Sequence, residues 1–320
     1  MKTIEELKKF YETELLTSLQ AQEQERKGLL RKCIIIFLIA AVVGLVVMGV
    51  LSVYGSFKQS AFPIIGLVLP LGCAFGISMI ISKGYVSEFK HLIISRLVSF
   101  IDEGLTYNAK DYIDRPTFMQ SQIFKTWPNK YKGDDLVEGT IGETEIRFCE
   151  LDAKHESGSG KNRTVVTVFK GLFFIGDFNK HFSCQTVVLP DNVEKHFGRL
   201  GQKLQAMNFT RGQLIKMDDP EFEKHFVVYG NDQIGARYIL SMSLMRRIVD
   251  FQNRTGKSIC LSFVGSMVFV AISYSKNLFE PRVFRTLLDF EPVREYFEDM
   301  QTAIGIVEDL NLNRRIWTKQ

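Results

Sequence analysis

Two pairs of adjacent carboxylates are the first groups in this chain that invite a chemical reading. Asp134-Asp135 and Asp218-Asp219 each set two acids side by side, the residue types that hold a divalent ion or share a proton. Neighbours on a strand point to opposite faces, so Asp134 and Asp135 are not expected to converge on one ion. Asp218-Asp219 runs into Pro220 and suits a turn or a helix start. Asp232 and Arg237 flank a turn holding Gly230 and Gly235, and with Asp134 and Asp135 they make up the candidate binding or structural cluster. In the structural reading of that segment, Arg237 pairs with a carboxylate such as Asp232 and staples the turn. Phe226, Tyr238 and Leu240 then fill the core. In the rival reading Arg237 binds an anionic ligand.

Other motifs fail on their frames. Gly158-Ser-Gly-Lys161 has the glycine and lysine of a phosphate loop, but His155 stands where the first glycine is needed and Asn162 replaces the hydroxyl that holds magnesium. A strand also follows where a helix N-terminus is required. His91, His155, His181, His196 and His225 are scattered, and no nucleophile elbow, dinucleotide fingerprint or nucleic-acid motif occurs. Five cysteines without a C-x-x-C pair speak against zinc and for a reducing compartment, with Cys149, Cys184 and Cys260 expected as buried apolar residues. No cofactor and no metal is expected. An enzyme would need a site assembled from distant residues, so a binding or assembly module is the leading expectation and a membrane-anchored enzyme the alternative.

The elements that position these residues begin with the membrane. The chain has 320 residues, and its 40 Lys plus Arg against 36 Asp plus Glu leave +4, too near balance for a dedicated nucleic-acid binder. Between Cys33 and Ser82 the only charged residue is Lys58. Residues 33–54 and 61–82 are each long enough to cross a hydrocarbon core of roughly 30 Å, and the loop 55–60 is short enough to force a hairpin. The first run is too long and too far from the N-terminus for a cleaved signal. Pro70 should kink the second. Arg26, Lys27, Arg31, Lys32, Lys83 and Lys90 flank the spans on one side against Lys58 on the other, which puts both termini in the cytoplasm. Ala40 with Gly44, and Gly72 with Gly76, offer small-residue surfaces for packing within the hairpin, for oligomer formation, or for nothing beyond the usual glycine content of such helices.

Residues 1–32 read as a cytoplasmic amphipathic arm. Thr3 and Glu6 form a capping box, and Ile4, Leu7, Tyr11, Leu15 and Leu19 recur on one helical face that fades from Gln20 to Lys27. That stripe must be covered by the cytoplasmic domain, another copy or the lipid surface, protein packing being favoured over lipid. Residues 83–320 are expected to form a cytoplasmic domain, able to fold without the spans from about Gly84. A helix is predicted from Val86 to Tyr107, a break at Pro116 and a short helix from Phe118 to Trp127. Strands follow at 136–141, 144–151, 164–169, 172–178, 184–189, 213–217 and 225–229, with a helix marked by Val193, Phe197, Leu200 and Leu204. Ser241 caps a helix that Gly256 closes, and Ser258 to Tyr274 is a hairpin turning at Gly265-Ser266. Helical material interrupted at Pro281 and Pro292 ends the chain. The fold class is therefore α+β: a two-helix transmembrane hairpin, then a mainly antiparallel sheet with flanking helices.

Several phrases together resemble a known bacterial family. These are Phe124-Lys125, Tyr131-Lys-Gly-Asp-Asp135, Phe169-Lys-Gly-Leu-Phe173 with Asp177-Phe178, and the stretch Phe222 to Leu240. The family is the one catalogued as domain of unknown function 3137. The resemblance implies a bacterial inner-membrane protein with no established enzymatic activity, and a LemA-type membrane protein as a partner. The bilayer itself and a second copy of the chain are the other expected partners; nucleic acid is not.

Overall fold

The computed structural model describes residues 2–54, 62–178, 183–191 and 212–312. The connection 55–60 and the helix expected around Val193 to Leu204 lie outside them. The chain divides into two compact units, one formed by residues 2–96 with 280–294 and the other by 97–279 with 295–320.

The first unit is helical. Thr3 Oγ1 accepts from the Glu6 amide at 3.2 Å while Glu6 Oε2 accepts from the Thr3 amide at 2.7 Å, so the capping box is closed. The helix Ile4–Phe10 passes through a π-helical turn, Tyr11–Leu15, into a helix of 39 residues, Leu16–Tyr54. Arm and first apolar run are thus one rod, and the long helix alone reaches about 58 Å at ~1.5 Å per residue. Leu7, Tyr11, Leu15 and Leu19 are buried as their spacing requires; Ile4, of the same stripe, is 47% exposed.

Beyond Leu19 the buried face does not end but turns polar: Gln22, Glu23 and Arg26 are all at most 7% exposed. Glu23 accepts from Arg26 Nε at 2.8 Å and Nη2 at 2.7 Å, and from the Leu287 amide at 3.0 Å. Arg26 Nη1 donates to the Val283 carbonyl at 2.8 Å, and the Tyr11 hydroxyl to the Leu288 carbonyl at 2.7 Å. Within this unit the segment 280–294 packs on the arm. It interrupts the simple expectation that residues from Gly84 onward stand alone, because its hydrogen-bond partners lie before the first apolar run.

The second long helix, Phe62–Phe89, continues through a π turn, Lys90–Ile94, into Ser95–Ile101. Lys90, 3% exposed, pairs with Glu280 at 2.8 Å. The two apolar helices pack as a hairpin. A Cβ on Gly44 would stand 2.9 Å from Leu67 Cδ1 and 3.1 Å from Leu67 Cα, so this glycine permits close approach. Ala40 is 9% exposed, whereas Gly72 and Gly76 have nothing within 4 Å of an added Cβ. Both helices are long and apolar enough to cross a membrane.

The predicted helix to Tyr107 ends early, at Ile101. The Gly104 amide donates to Asp102 Oδ1 at 2.8 Å, a side-chain turn that stops the helix. Leu105–Asn108 is then strand β1. Likewise Pro116 opens the helix Arg115–Gln120, with Asp114 as its cap, instead of breaking the chain; that helix ends well before Trp127.

The second unit is built on one sheet. Its further strands are β2 (Lys130–Ile141), β3 (Thr144–Ser157), β4 (Thr164–Asp177), β5 (Thr186–Pro190), β6 (Gln213–Ile215), β7 (Phe226–Gly230), β8 (Ile259–Val264) and β9 (Met267–Ser273). They lie in the order β1-β2-β3-β4-β9-β8-β5-β7-β6, and every pairing among the described strands is antiparallel. The runs read as two strands around Gly171 are one continuous strand, β4. Gly171, at φ +146°, lets β9 approach so closely that a Cβ would meet the Ile272 carbonyl oxygen at 2.1 Å. Gly265 at φ +64° with Ser266 at negative φ forms the expected β8–β9 turn.

Both faces of the sheet centre are dry: Leu172, Phe173, Phe174 and Ile175, which alternate in direction, are each at most 1% exposed. One face gathers Phe118, Phe124, Phe169, Phe173 and Phe269 into an aromatic cluster. Ser241 Oγ caps the helix Met242–Thr255 at the Leu244 amide, and Gly256 ends it at φ +62°. The helices Phe290–Ile304 and Ile306–Asp309 close the described chain; Pro292 sits in the first turn of the former and does not interrupt it.

Candidate functional site

The carboxylates of Asp134 and Asp135 do converge, against the expectation from strand alternation. Asp134 is opposite Glu150 and Val137 opposite Phe148, so two residues, Asp135 and Leu136, face the single Cys149. This bulge holds Asp135 at φ +60° and turns its side chain inward, where it is 0% exposed. Carboxylate oxygens of Asp134, Asp135 and Glu150 then lie within 4.8 Å of one another, a hard-oxygen set of the kind magnesium or calcium takes. Protein donors already enter it. The Tyr107 hydroxyl donates to Asp135, and the Leu278 amide to Glu150 Oε2 at 2.8 Å. The group thereby ties β1, the bulge and the 275–280 turn together.

The other two predicted residues are elsewhere. Asp232 caps the helix Gln233–Ile239 by accepting from the Ile234 amide at 3.0 Å. Arg237 donates to the Lys216 carbonyl at 3.2 Å and stands 3.9 Å from Asp218, so its carboxylate is Asp218 and not Asp232. Asp219 caps the helix Pro220–His225, as a pair before proline suggested. Phe226 and Leu240 are core residues at 1% exposure, but Tyr238 is 56% exposed. In the sheet order β2 and β7 are six strands apart, roughly 29 Å at ~4.8 Å per strand, so Asp134 and Asp135 share no site with Asp232 and Arg237. Because the Arg237 pair is solvent-exposed on both sides, Arg237→Ala should lower stability by less than about 1 kcal/mol in a thermal or denaturant melt.

Cys149, Cys184 and Cys260 are buried and form no disulfide, and burial pushes the Cys149 thiol up, away from nucleophilic use. Gly160–Asn162 forms a 3₁₀ turn between β3 and β4, not a phosphate loop.

One cavity has no local signature in the sequence. Where β9 ends at Ser273 and its chain leaves β4, a space of about 560 Å³ opens, lined by Thr167–Lys170, Gly256–Ser258 and Ser273–Lys276. Three lysines surround it. The Lys257 ammonium lies 4.2 Å from the centre of the Tyr274 ring, and Lys276 faces Glu295 at 3.5 Å and Asp299 at 3.4 Å. Burial pushes the Asp299 carboxyl up, with Lys276, the Tyr274 hydroxyl and Lys257 pulling the other way. Ser258 is 6% exposed, and its hydroxyl has no hydrogen-bond partner among the described residues. The lysines are 19 to 106 residues apart in sequence and stand on separate elements, so no local motif announced them.

With fold and cavity in view, comparison with known proteins gives the following. Residues 167–312 match the family model described as "Protein of unknown function (DUF3137)", the family the sequence resembles. The matched segment runs from within β4 through the last described helix and holds the whole cavity lining; the resembling phrases at Phe124 and Tyr131 lie before it. No relative is found among curated proteins. Among solved structures, the mycobacterial trehalose monomycolate transport factor A, TtfA, aligns at 10% identity and a TM-score of 0.33, over 65% of this chain and 94% of that one.

Proposed function

We propose that this chain is a bacterial inner-membrane protein whose two apolar helices span the bilayer with both termini cytoplasmic, and whose sheet-bearing unit is a binding or assembly module. The observation that carries the reading is the uncovered apolar surface of the two helices. Ile35, Leu38, Val42 and Val46 on one, and Leu69, Phe75 and Ile80 on the other, are each more than half exposed. Apolar surface of that extent on two helices long enough to span a bilayer is the kind that lipid covers. The excess of Lys and Arg beside the outer ends of the runs supports the orientation. The dispersal of Asp134, Asp135, Asp232 and Arg237 over two sites supports a module over an enzyme. A LemA-type membrane protein or a second copy is the partner this reading names. Alkaline washing of membranes tests the anchor. The chain should stay in the pellet and leave it only with detergent; release by carbonate alone would overturn the reading.

A further inference from the structure

Like charges repel, and three lysines from separate elements around one cavity need a reason. Lys257 and Lys276 have one nearby. The helix Met242–Thr255 points its negative end at Gly256, just before Lys257, and Glu295 and Asp299 answer Lys276. Lys170 is different: its cross-strand neighbour Asp152 is held by Lys154 at 2.6 Å, and among the described residues no carboxylate stands within ion-pair distance of the Lys170 ammonium. It follows Phe169 at the point where the Tyr274 amide donates to the Lys170 carbonyl at 3.1 Å, the last contact before the two chains part. The hydroxyl-bearing residues Thr167, Ser273 and Ser275 belong to the same lining, with Ser258 buried and its hydroxyl without a hydrogen-bond partner among the described residues, and Val168 and Phe169 as the apolar part.

We infer that this cavity binds one phosphate group, carried by a small polar molecule or by a lipid headgroup. Three ammonium groups against the carboxylates of Glu295 and Asp299 leave a surplus of one positive charge, enough for one anionic group and not for several. An ammonium with several hydroxyl donors matches a tetrahedral oxyanion, which offers acceptors in more directions than a planar carboxylate. The volume, about 560 Å³, leaves room for a polyol or sugar beyond the phosphate. The inference rests on reading this unit as a binding module and names its ligand class.

The test uses the full chain in lipid nanodiscs. In neutral phosphatidylcholine discs, glycerol 3-phosphate is titrated calorimetrically; in a second arm, discs containing phosphatidylglycerol replace the soluble probe and the readout is the shift in melting temperature. Saturable binding in the first arm assigns a soluble phosphate, and a shift in the second alone assigns a headgroup. Lys170→Gln should keep the parent melting temperature in neutral discs and weaken glycerol 3-phosphate binding by about tenfold or more, or abolish the phosphatidylglycerol shift, while Lys224→Gln, in an exposed pair with Glu221, should change nothing. Ser258→Ala is the second variant, for use if Lys170→Gln melts early. Absence of binding in both arms, or equal losses from Lys170→Gln and Lys224→Gln, would overturn the inference. A chain that captures a protein partner yet binds neither probe leaves the module reading standing and removes this one.

Discussion

Replacing Phe118 by alanine is expected to cost about 3–5 kcal/mol, close to the whole stability of many domains. Phe118 is 0% exposed and stacks on Phe124 with ring centres 4.9 Å apart and planes inclined by 11°. It also meets Phe173 at 5.0 Å, Tyr131 at 5.6 Å and Phe169 at 6.1 Å. The ring comes from the short helix Arg115–Gln120, whereas its neighbours come from the loop after that helix and from β2 and β4. Its loss leaves a cavity that strands fixed by hydrogen bonds cannot collapse into. Phe118→Leu fills most of the volume and should cost about half as much. Urea unfolding of the full chain in detergent, followed by tyrosine fluorescence, measures both. Equal, small effects from the two variants would contradict the packing described.

Breaking the Glu23–Arg26 pair is the other large effect. Both side chains are nearly inaccessible, and removing one partner strands the other together with the Leu287 amide, a loss of about 3–5 kcal/mol for Glu23→Ala. The pair also carries a pH signature. The Arg26 guanidinium holds the Glu23 carboxyl down at about 2, below its ordinary value of 4.5, with the Leu287 amide assisting. A lowered acid contributes stability that is fully present above its unfolded value and lost as pH falls through the folded one. The window therefore runs from about 4.5 down to about 2, and the contribution at neutral pH is on the order of 3 kcal/mol. Subtracting the pH profile of Glu23→Gln from that of the parent chain isolates it. The difference should be flat above pH 5 and shrink below; a flat difference throughout would contradict the pair's role.

Legibility followed the range of the interactions. The capping box at Thr3, the Ser241 cap, the Gly256 stop and the Gly265-Ser266 hairpin are fixed by residues within four positions of each other, and local spacing announced all of them. So did the apolar runs, which composition alone defines. The polar continuation Gln22-Glu23-Arg26 looks in sequence like the end of a buried face because its partners, Val283 and Leu287, lie more than 250 residues away. The bulge at Asp135 was invisible for a related reason: alternation along a strand assumes an unbroken register, and only the pairing with β3 shows that it breaks. Leu105–Asn108 continued a helical pattern of apolar residues, and a turn built on Asp102 overrode it. The lysine-lined cavity depends on where β9 parts from β4, which no periodicity encodes.

The account turns on the two apolar helices crossing a bilayer and returning the chain to the side it started from. A reporter enzyme that folds only outside the cytoplasm, fused in turn after Ser56 and after Gln320, asks this directly. The account predicts activity from the fusion after Ser56 and silence from the one after Gln320. Activity after Gln320, or silence after Ser56 at equal expression, would contradict it.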